Sequence, residues 1–161
     1  MLFVTVGTHH QPFDRLLHAV AAVEWGMKVV VQGGASTVRH PDWEWHASMS
    51  PEQWRATVAE ASVVITHAGP ASIVGCLRAG RVPIVVPRRR LWLEHVDEHQ
   101  VAYAHRIRGS VHLVEDVARL ADAVDAHETH VARLPEPWNP ANPERFATAF
   151  GSLVDDLVTR A

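Results

Sequence analysis

The chain has a single cysteine, Cys76, so no internal disulfide can form and a reducing compartment is expected. No apolar run approaches the roughly 20 residues that cross a bilayer, so no membrane span is expected. Neither charge dominates. Fifteen Lys and Arg against eighteen Asp and Glu leave a net charge of -3, which provides no electrostatic footprint for nucleic acid. Met1 opens directly on the strand-like run LFVTV with no cationic segment before it, so no signal peptide is expected. There is no GxGxxG and no GxxxxGK[ST], which removes the dinucleotide fingerprint and the Walker loop. No internal repeat is visible.

What is present suits one globular domain. The 161 residues are 47% apolar and 20% charged, enough for one full core and too few for two large ones. Leu2–Val6, Lys28–Val31, Val63–Ile65 and Val82–Val86 are short β-branched runs of the kind that form strands buried on both faces. Trp43–His46 alternates and reads as a further short strand, and Val111–Val114 as the last. Between them lie helical spacings. Phe13, Leu16, Leu17 and Val20 share one face, with Pro12 suited to the first turn. Ser50, Pro51 and Gln53 make a start signal for a helix carrying Trp54, Val58 and Ala61. Ile73, Cys76 and Leu77 mark a helix that ends at Gly80. A charged loop over residues 88–98 leads into a helix through about Arg106, and Val117, Leu120, Ala121 and Val124 mark another. The alternation predicts a single α/β domain, a doubly wound, mostly parallel Rossmann-like sheet.

Three units are expected: 1–133 as the binding domain, 134–143 as a Pro-rich crossing, and 144–161 as a C-terminal helix. The crossing LPEPWNPANP holds four of the ten prolines and excludes regular structure. Asn142 is read as the cap of the final helix, whose Phe146, Phe150, Leu153 and Leu157 would pack on the same domain or on a partner.

Three loops fall at carboxyl ends of predicted strands: Gly7-Thr8-His9, Gln32-Gly33-Gly34 and His67–Ser72. Small residues there let backbone N–H groups reach a ligand, and the helix that follows offers its positive end. Together they favour a phosphate or diphosphate. His95, Glu98 and His99 fit H-x-x-E-H, a zinc-peptidase pattern. His95 precedes the helix that His99 begins, so the two would not share a helical face, and no metal is expected. Arg88-Arg89-Arg90 reads as a solvated loop, with Arg88 able to reach a phosphate. Cys76 reads as a buried small hydrophobe.

The segments FVTVGTHHQPFDRL, THAGPASIVGCLRAGRVPIVVPR and EHVDEHQ, in that order, resemble the donor-binding C-terminal domain of family 28 glycosyltransferases. Within that family the chain is similar to the small catalytic subunits of two-subunit UDP-N-acetylglucosamine transferases and their bacterial exopolysaccharide counterparts. The resemblance implies a GT-B C-terminal domain. Gly7 and Thr8 would lie beside the donor diphosphate or sugar, and His67, Gly69, Ala71 and Ser72 would wrap the diphosphate. Met49 would sit near the uracil, while Glu94, His95, Asp97 and Gln100 would hold sugar hydroxyls. Arg88 joins this donor-binding set. Pro70-Ala71 replaces part of a glycine-richer turn, and Gly75 stands where the family carries a Glu that contacts the ribose.

The implied function is hexosyl transfer from a UDP-linked sugar to a lipid-linked acceptor, in polysaccharide biosynthesis. The acceptor would be held by a separate, membrane-anchored subunit. The nucleotide-sugar is a substrate, and no cofactor is expected. The expected place is the cytoplasm, with the inner face of a membrane reached through the partner; self-association is left open. No catalytic base is assigned, with His9 and His10 the nearest candidates. Gly75 motivates a second reading, a nucleotide-sugar-binding or scaffolding subunit without turnover.

Overall fold

The computed structural model describes residues 1–134, so the Pro-rich crossing beyond Leu134 and the expected final helix lie outside the described residues. Six strands form one sheet: β1 (Leu2–Thr5), β2 (Val29–Gln32), β3 (Trp43–His46), β4 (Val63–His67), β5 (Ile84–Val86) and β6 (His112–Leu113). Their order is β3-β2-β1-β4-β5-β6 and every neighbouring pair is parallel. The sheet is the doubly wound one expected. Its order reverses between β1 and β4, and the crevice outside the strand ends at that point is where open α/β sheets take ligands.

Helices cover both faces. Leu16, Leu17 and Val20 of α1 (Asp14–Ala21) and Leu120, Ala123 and Val124 of α5 (Leu120–Asp125) pack against Leu2, Val4, Val31 and Ile65. The opposite face of β1, β2 and β4 presents Phe3, Val30 and Val64 to α2 (Pro51–Glu60) and to Cys76 of α3 (Pro70–Arg78). Residues two apart along a strand thus share a face, as the pleat requires. Ile73 and Leu77 of α3 meet Tyr103 and Ala104 of α4 (His99–Ile107) around Val85. A short α6 (His127–Val131) follows α5.

Local chemistry sets most boundaries. Ser50 Oγ accepts from Gln53 N–H while the Gln53 side chain accepts from Ser50 N–H, so the capping box forms as expected with Pro51 at the first position. At the end of α3, Arg81 N–H donates to Cys76 O and Gly80 N–H to Leu77 O, a Schellman closure. Helix α1 begins later than Pro12 suggests, with Phe13 as its cap; Phe13 N–H is taken by Ser36 Oγ at 2.8 Å. The helix expected from Val117 opens as a 3-10 turn, Val117–Arg119, before α5.

One expectation is overturned at the sheet's upper edge. Arg88 is neither solvated nor turned to a ligand; it is 1% exposed. Its guanidinium donates to Val6 O at 2.7 Å, Gln11 O at 2.9 Å, Glu94 O at 3.0 Å and Pro12 O at 3.3 Å. The reason is a shortage of local partners. The loops after β1 and β5 are irregular, so their buried carbonyls need a donor that strands and helices do not supply. Burial pushes the Arg88 guanidinium down to about 10, leaving it charged at neutral pH. Replacing Arg88 by Met leaves those carbonyls unpaired and should cost about 3 kcal/mol, since hydrogen bonds to charged donors are worth more than neutral ones. The check is a urea midpoint by circular dichroism; an unchanged midpoint would contradict the role.

Candidate active site

A cavity of about 1130 Å³ opens at the crevice between the ends of β1 and β4. Its lining brings together Gly7, Thr8, His9, His10, Met49, His67, Gly69, Ala71, Ser72 and Gln100 from the residues singled out in the sequence. Thr5, Gln32, Pro51, Trp54, Arg55, Pro70, Gly75, Arg78 and Ala79 complete it. Among the described residues no Asp or Glu lines the cavity, whereas two arginines do. The N-terminus of α3 opens into it with Gly69 as cap, and no side chain of the described residues takes its first N–H groups. Unpaired N–H groups, the helix dipole and two cations together make an anion site.

His67 is the centre of this wall. Its imidazole passes between two glycines: a Cβ on Gly7 would come within 2.5 Å of His67 Nε2, and one on Gly69 within 2.0 Å of Cε1. Gly7 also has φ of +75°, a conformation that suits glycine. The hydrogen bonds fix the ring's proton. Arg88 N–H can only donate, so Gln100 Oε1 accepts from it at 3.2 Å and the Gln100 amide nitrogen is left facing His67 Nδ1 at 3.4 Å. His67 therefore accepts at Nδ1 and carries its proton on Nε2, which donates to Ser72 Oγ at 3.3 Å. That leaves the Ser72 hydroxyl hydrogen free to point at a ligand.

Four of the expected donor-binding residues do not line the cavity. Arg88 is bound to carbonyls, as above. Glu94 is 3% exposed and its carboxylate is taken by Arg15 at 2.8 and 3.0 Å and by Arg89 N–H at 2.9 Å. Three donors thus hold the carboxylate away from the cavity, which Glu94 does not line. Asp97 is exposed and accepts from His99 N–H at 3.0 Å, ahead of α4. His95 is 8% exposed and stands one ring away, its imidazole 4.7 Å from that of His9. These residues form the loop that carries Gln100 to the cavity. The loop Gln32-Gly33-Gly34 also departs from the anion-loop expectation. Gly33 and Gly34 N–H donate to His46 O and Ala47 O, so they extend the pairing with β3, and only the Gln32 side chain reaches the cavity.

The two base candidates are distinguished by their bonds. His9 Nδ1 accepts from Gln11 N–H at 3.2 Å, so neutral His9 carries its proton on Nε2. Burial, then His95 and His10, hold its basicity below the ordinary imidazole value. His10 is exposed and stacks on His9 at 4.5 Å. His95, Asp97 and His99 bring one ligand atom each within 4.8 Å of one another, two of the three residues being exposed. Glu98 of the H-x-x-E-H pattern instead accepts from Arg90 N–H at 2.9 Å, and the Asp97 carboxylate already serves the start of α4.

Residues 1–149 match the Glycosyltransferase family 28 C-terminal domain. The chain belongs to that family. Three crystal structures of GT-B glycosyltransferases share its fold. The glycosyltransferase of kitacinnamycin is 21% identical with a TM-score of 0.54, over 99% of this chain and 42% of that one. CalG4, the calicheamicin glycosyltransferase, is 18% identical with a TM-score of 0.53, over 93% and 42%. SnogD from Streptomyces nogalater is 16% identical with a TM-score of 0.50, over 92% and 43%. The chain therefore spans less than half the length of these enzymes. No curated protein matches it. Among the described residues of this family 28 domain, no helix is long and apolar enough to cross a membrane.

Sequence reasoning missed Trp54, Arg55 and Arg78 as cavity residues, because their helical spacing reads as packing or solvated face. Mid-helix Gly75 was the available signal for Trp54.

The state of His67 gives a pH prediction. Burial first, and then the charge of Arg88, push its imidazole down to about 3 from 6.5. Between those values the unfolded chain binds a proton that the folded chain does not, so stability falls as pH drops through that window. Going from about pH 7.5 to about pH 5.5 should remove about 1 kcal/mol through this one group. The urea midpoint of His67→Asn should fall less over the same range; an identical slope in the variant would contradict the assignment.

Proposed function

We propose that this domain holds the nucleoside diphosphate of a sugar donor, with UDP as the nucleotide, and transfers a hexosyl group to a lipid-linked acceptor bound by a separate, membrane-anchored subunit. The observation that carries the reading is a cavity at the β1/β4 reversal that combines an uncapped helix N-terminus, the Ser72 hydroxyl and two arginines, with no carboxylate among its described lining residues. Family membership supports sugar transfer as the reaction. The phosphates would lie over Gly69, Ala71 and Ser72, with Thr8 and Gly7 opposite, and Met49 beside the base.

In the reaction an acceptor hydroxyl attacks the anomeric carbon and the bond from that carbon to phosphate oxygen breaks. The nucleoside diphosphate leaves with the bonding pair, and its growing negative charge meets the α3 N–H groups and the Ser72 hydroxyl. The acceptor's proton needs a base. His9 already carries its proton on the nitrogen left free, so His10, exposed at the mouth, is this chain's candidate, unless the partner supplies the group. The exposed apolar residues Leu91, Trp92, Leu93 and Val96 lie on the loop between β5 and α4 and would face that partner. A subunit that binds the donor without turning it over is the second reading, favoured by the indole that occupies the place beside Gly75.

Calorimetric titration tests the proposal. UDP and a panel of UDP-sugars should bind, uridine alone should bind at least about tenfold more weakly, and Ser72→Ala should lose about tenfold, close to one hydrogen bond to a charged group. If no nucleoside diphosphate or nucleotide-sugar binds, with or without a partner subunit, the proposal is wrong.

A further inference from the structure

Gly75 lies in the middle of α3, where glycine costs about 1 kcal/mol relative to alanine. The fold accepts that cost because of a close approach. A Cβ at Gly75 would stand 2.7 Å from Trp54 Cζ3 and 2.8 Å from Cη2, so the benzene end of the indole occupies the place of a side chain. The other end is anchored as well. Trp54 Nε1–H donates to Thr5 Oγ1 at 3.3 Å, the Thr5 hydroxyl donates to Gln32 Oε1, and the Gln32 amide donates to Gly7 O at 3.1 Å. Phe3 meets the ring edge-on at 6.3 Å. An aromatic ring fixed in this way loses little freedom when a ligand packs on it.

Trp54 also lines the cavity, as do Met49 and Gly75. From Gly69 to Gly75 the helix advances about 9 Å at 1.5 Å per residue. A ligand whose phosphates sit on the helix start therefore brings the next group along its chain beside Trp54. In a nucleoside diphosphate that group is the pentose. A vicinal diol is usually read by a carboxylate or an amide that can accept from both hydroxyls. No Asp or Glu lines this cavity among the described residues, and its two amides are engaged, Gln32 by Thr5 and Gly7 and Gln100 by Arg88 N–H and His67 Nδ1.

We propose that Trp54, seated in the notch left by Gly75, is the surface on which the pentose of the bound nucleoside diphosphate packs, so that the site holds this ring by apolar contact and does not read its hydroxyls. The inference rests on the nucleoside diphosphate reading above and sets a specificity for it. Affinity should follow the indole. It should be nearly indifferent to loss of a ribose hydroxyl.

Titration of the full chain with UDP, 2′-deoxy-UDP and 3′-deoxy-UDP decides it. The two deoxy compounds should bind within about threefold of UDP. Trp54→Ala should weaken all three at least about tenfold, on the scale of one lost aromatic stacking contact, and Trp54→Phe should recover most of the loss. Circular dichroism confirms that each variant is folded, and if Trp54→Ala is not, the comparison of UDP with its deoxy forms on the wild-type chain decides alone. UDP binding that drops more than about tenfold on removal of a hydroxyl overturns the proposal, as does a folded Trp54→Ala that binds UDP like wild type. Absence of any UDP binding would instead remove the nucleotide reading, and this inference with it.

Discussion

One buried guanidinium holds the working edge of this domain together. Arg88 leaves the end of β5 and donates to carbonyls of the loop after β1 and of the loop before α4. Its own backbone N–H fixes the Gln100 amide, which sets the tautomer of His67, which in turn releases the Ser72 hydroxyl toward the cavity. Arg15 of α1 and Glu94 of the loop before α4 add a second tie at 2.8 Å. A site made from loops on three strands needs such a connection, because loops carry few backbone bonds of their own. Arg88 thus shapes the candidate site at a distance, through positions it fixes.

The charge arrangement follows the same economy. The acidic residues near the site are withdrawn from the cavity: Glu94 to Arg15, Asp97 to the start of α4 and Glu98 to Arg90 N–H. Among the described residues, what faces the cavity is cationic, neutral or apolar. His67 and His9 are both held below the ordinary imidazole value by burial, so they enter as neutral groups with defined protons. An anion entering the cavity would meet oriented donors, with no carboxylate among the described lining residues to oppose it.

The parts legible in the sequence are those decided by neighbours along the chain. Buried strands announce themselves as β-branched runs, and Ser50-Pro51-Gln53 forms the cap its spacing requires. The turn at Gly69–Ser72 reads directly as a helix start open to an anion. What was not legible depends on contacts between distant segments. Arg88 looked like one of three solvated arginines because nothing local shows the carbonyls it serves from Val6 to Glu94. Gly33 and Gly34 looked like a second anion loop, and their N–H groups prove to continue the pairing with β3. Gly75 looked like a missing carboxylate and an odd mid-helix glycine, and its neighbour Trp54, twenty-one positions earlier, accounts for the glycine.

The central claim is that phosphates sit on the start of α3 at the β1/β4 reversal. Backbone amide NMR of the ¹⁵N-labelled chain titrated with UDP tests it most directly. The account predicts the largest shifts at Gly69, Ala71 and Ser72, with Gly7 and Thr8 following and Gly33 and Gly34 little moved. Shifts centred on Gly33 and Gly34, or on the loop at Glu94–Asp97 with the α3 start silent, would contradict it.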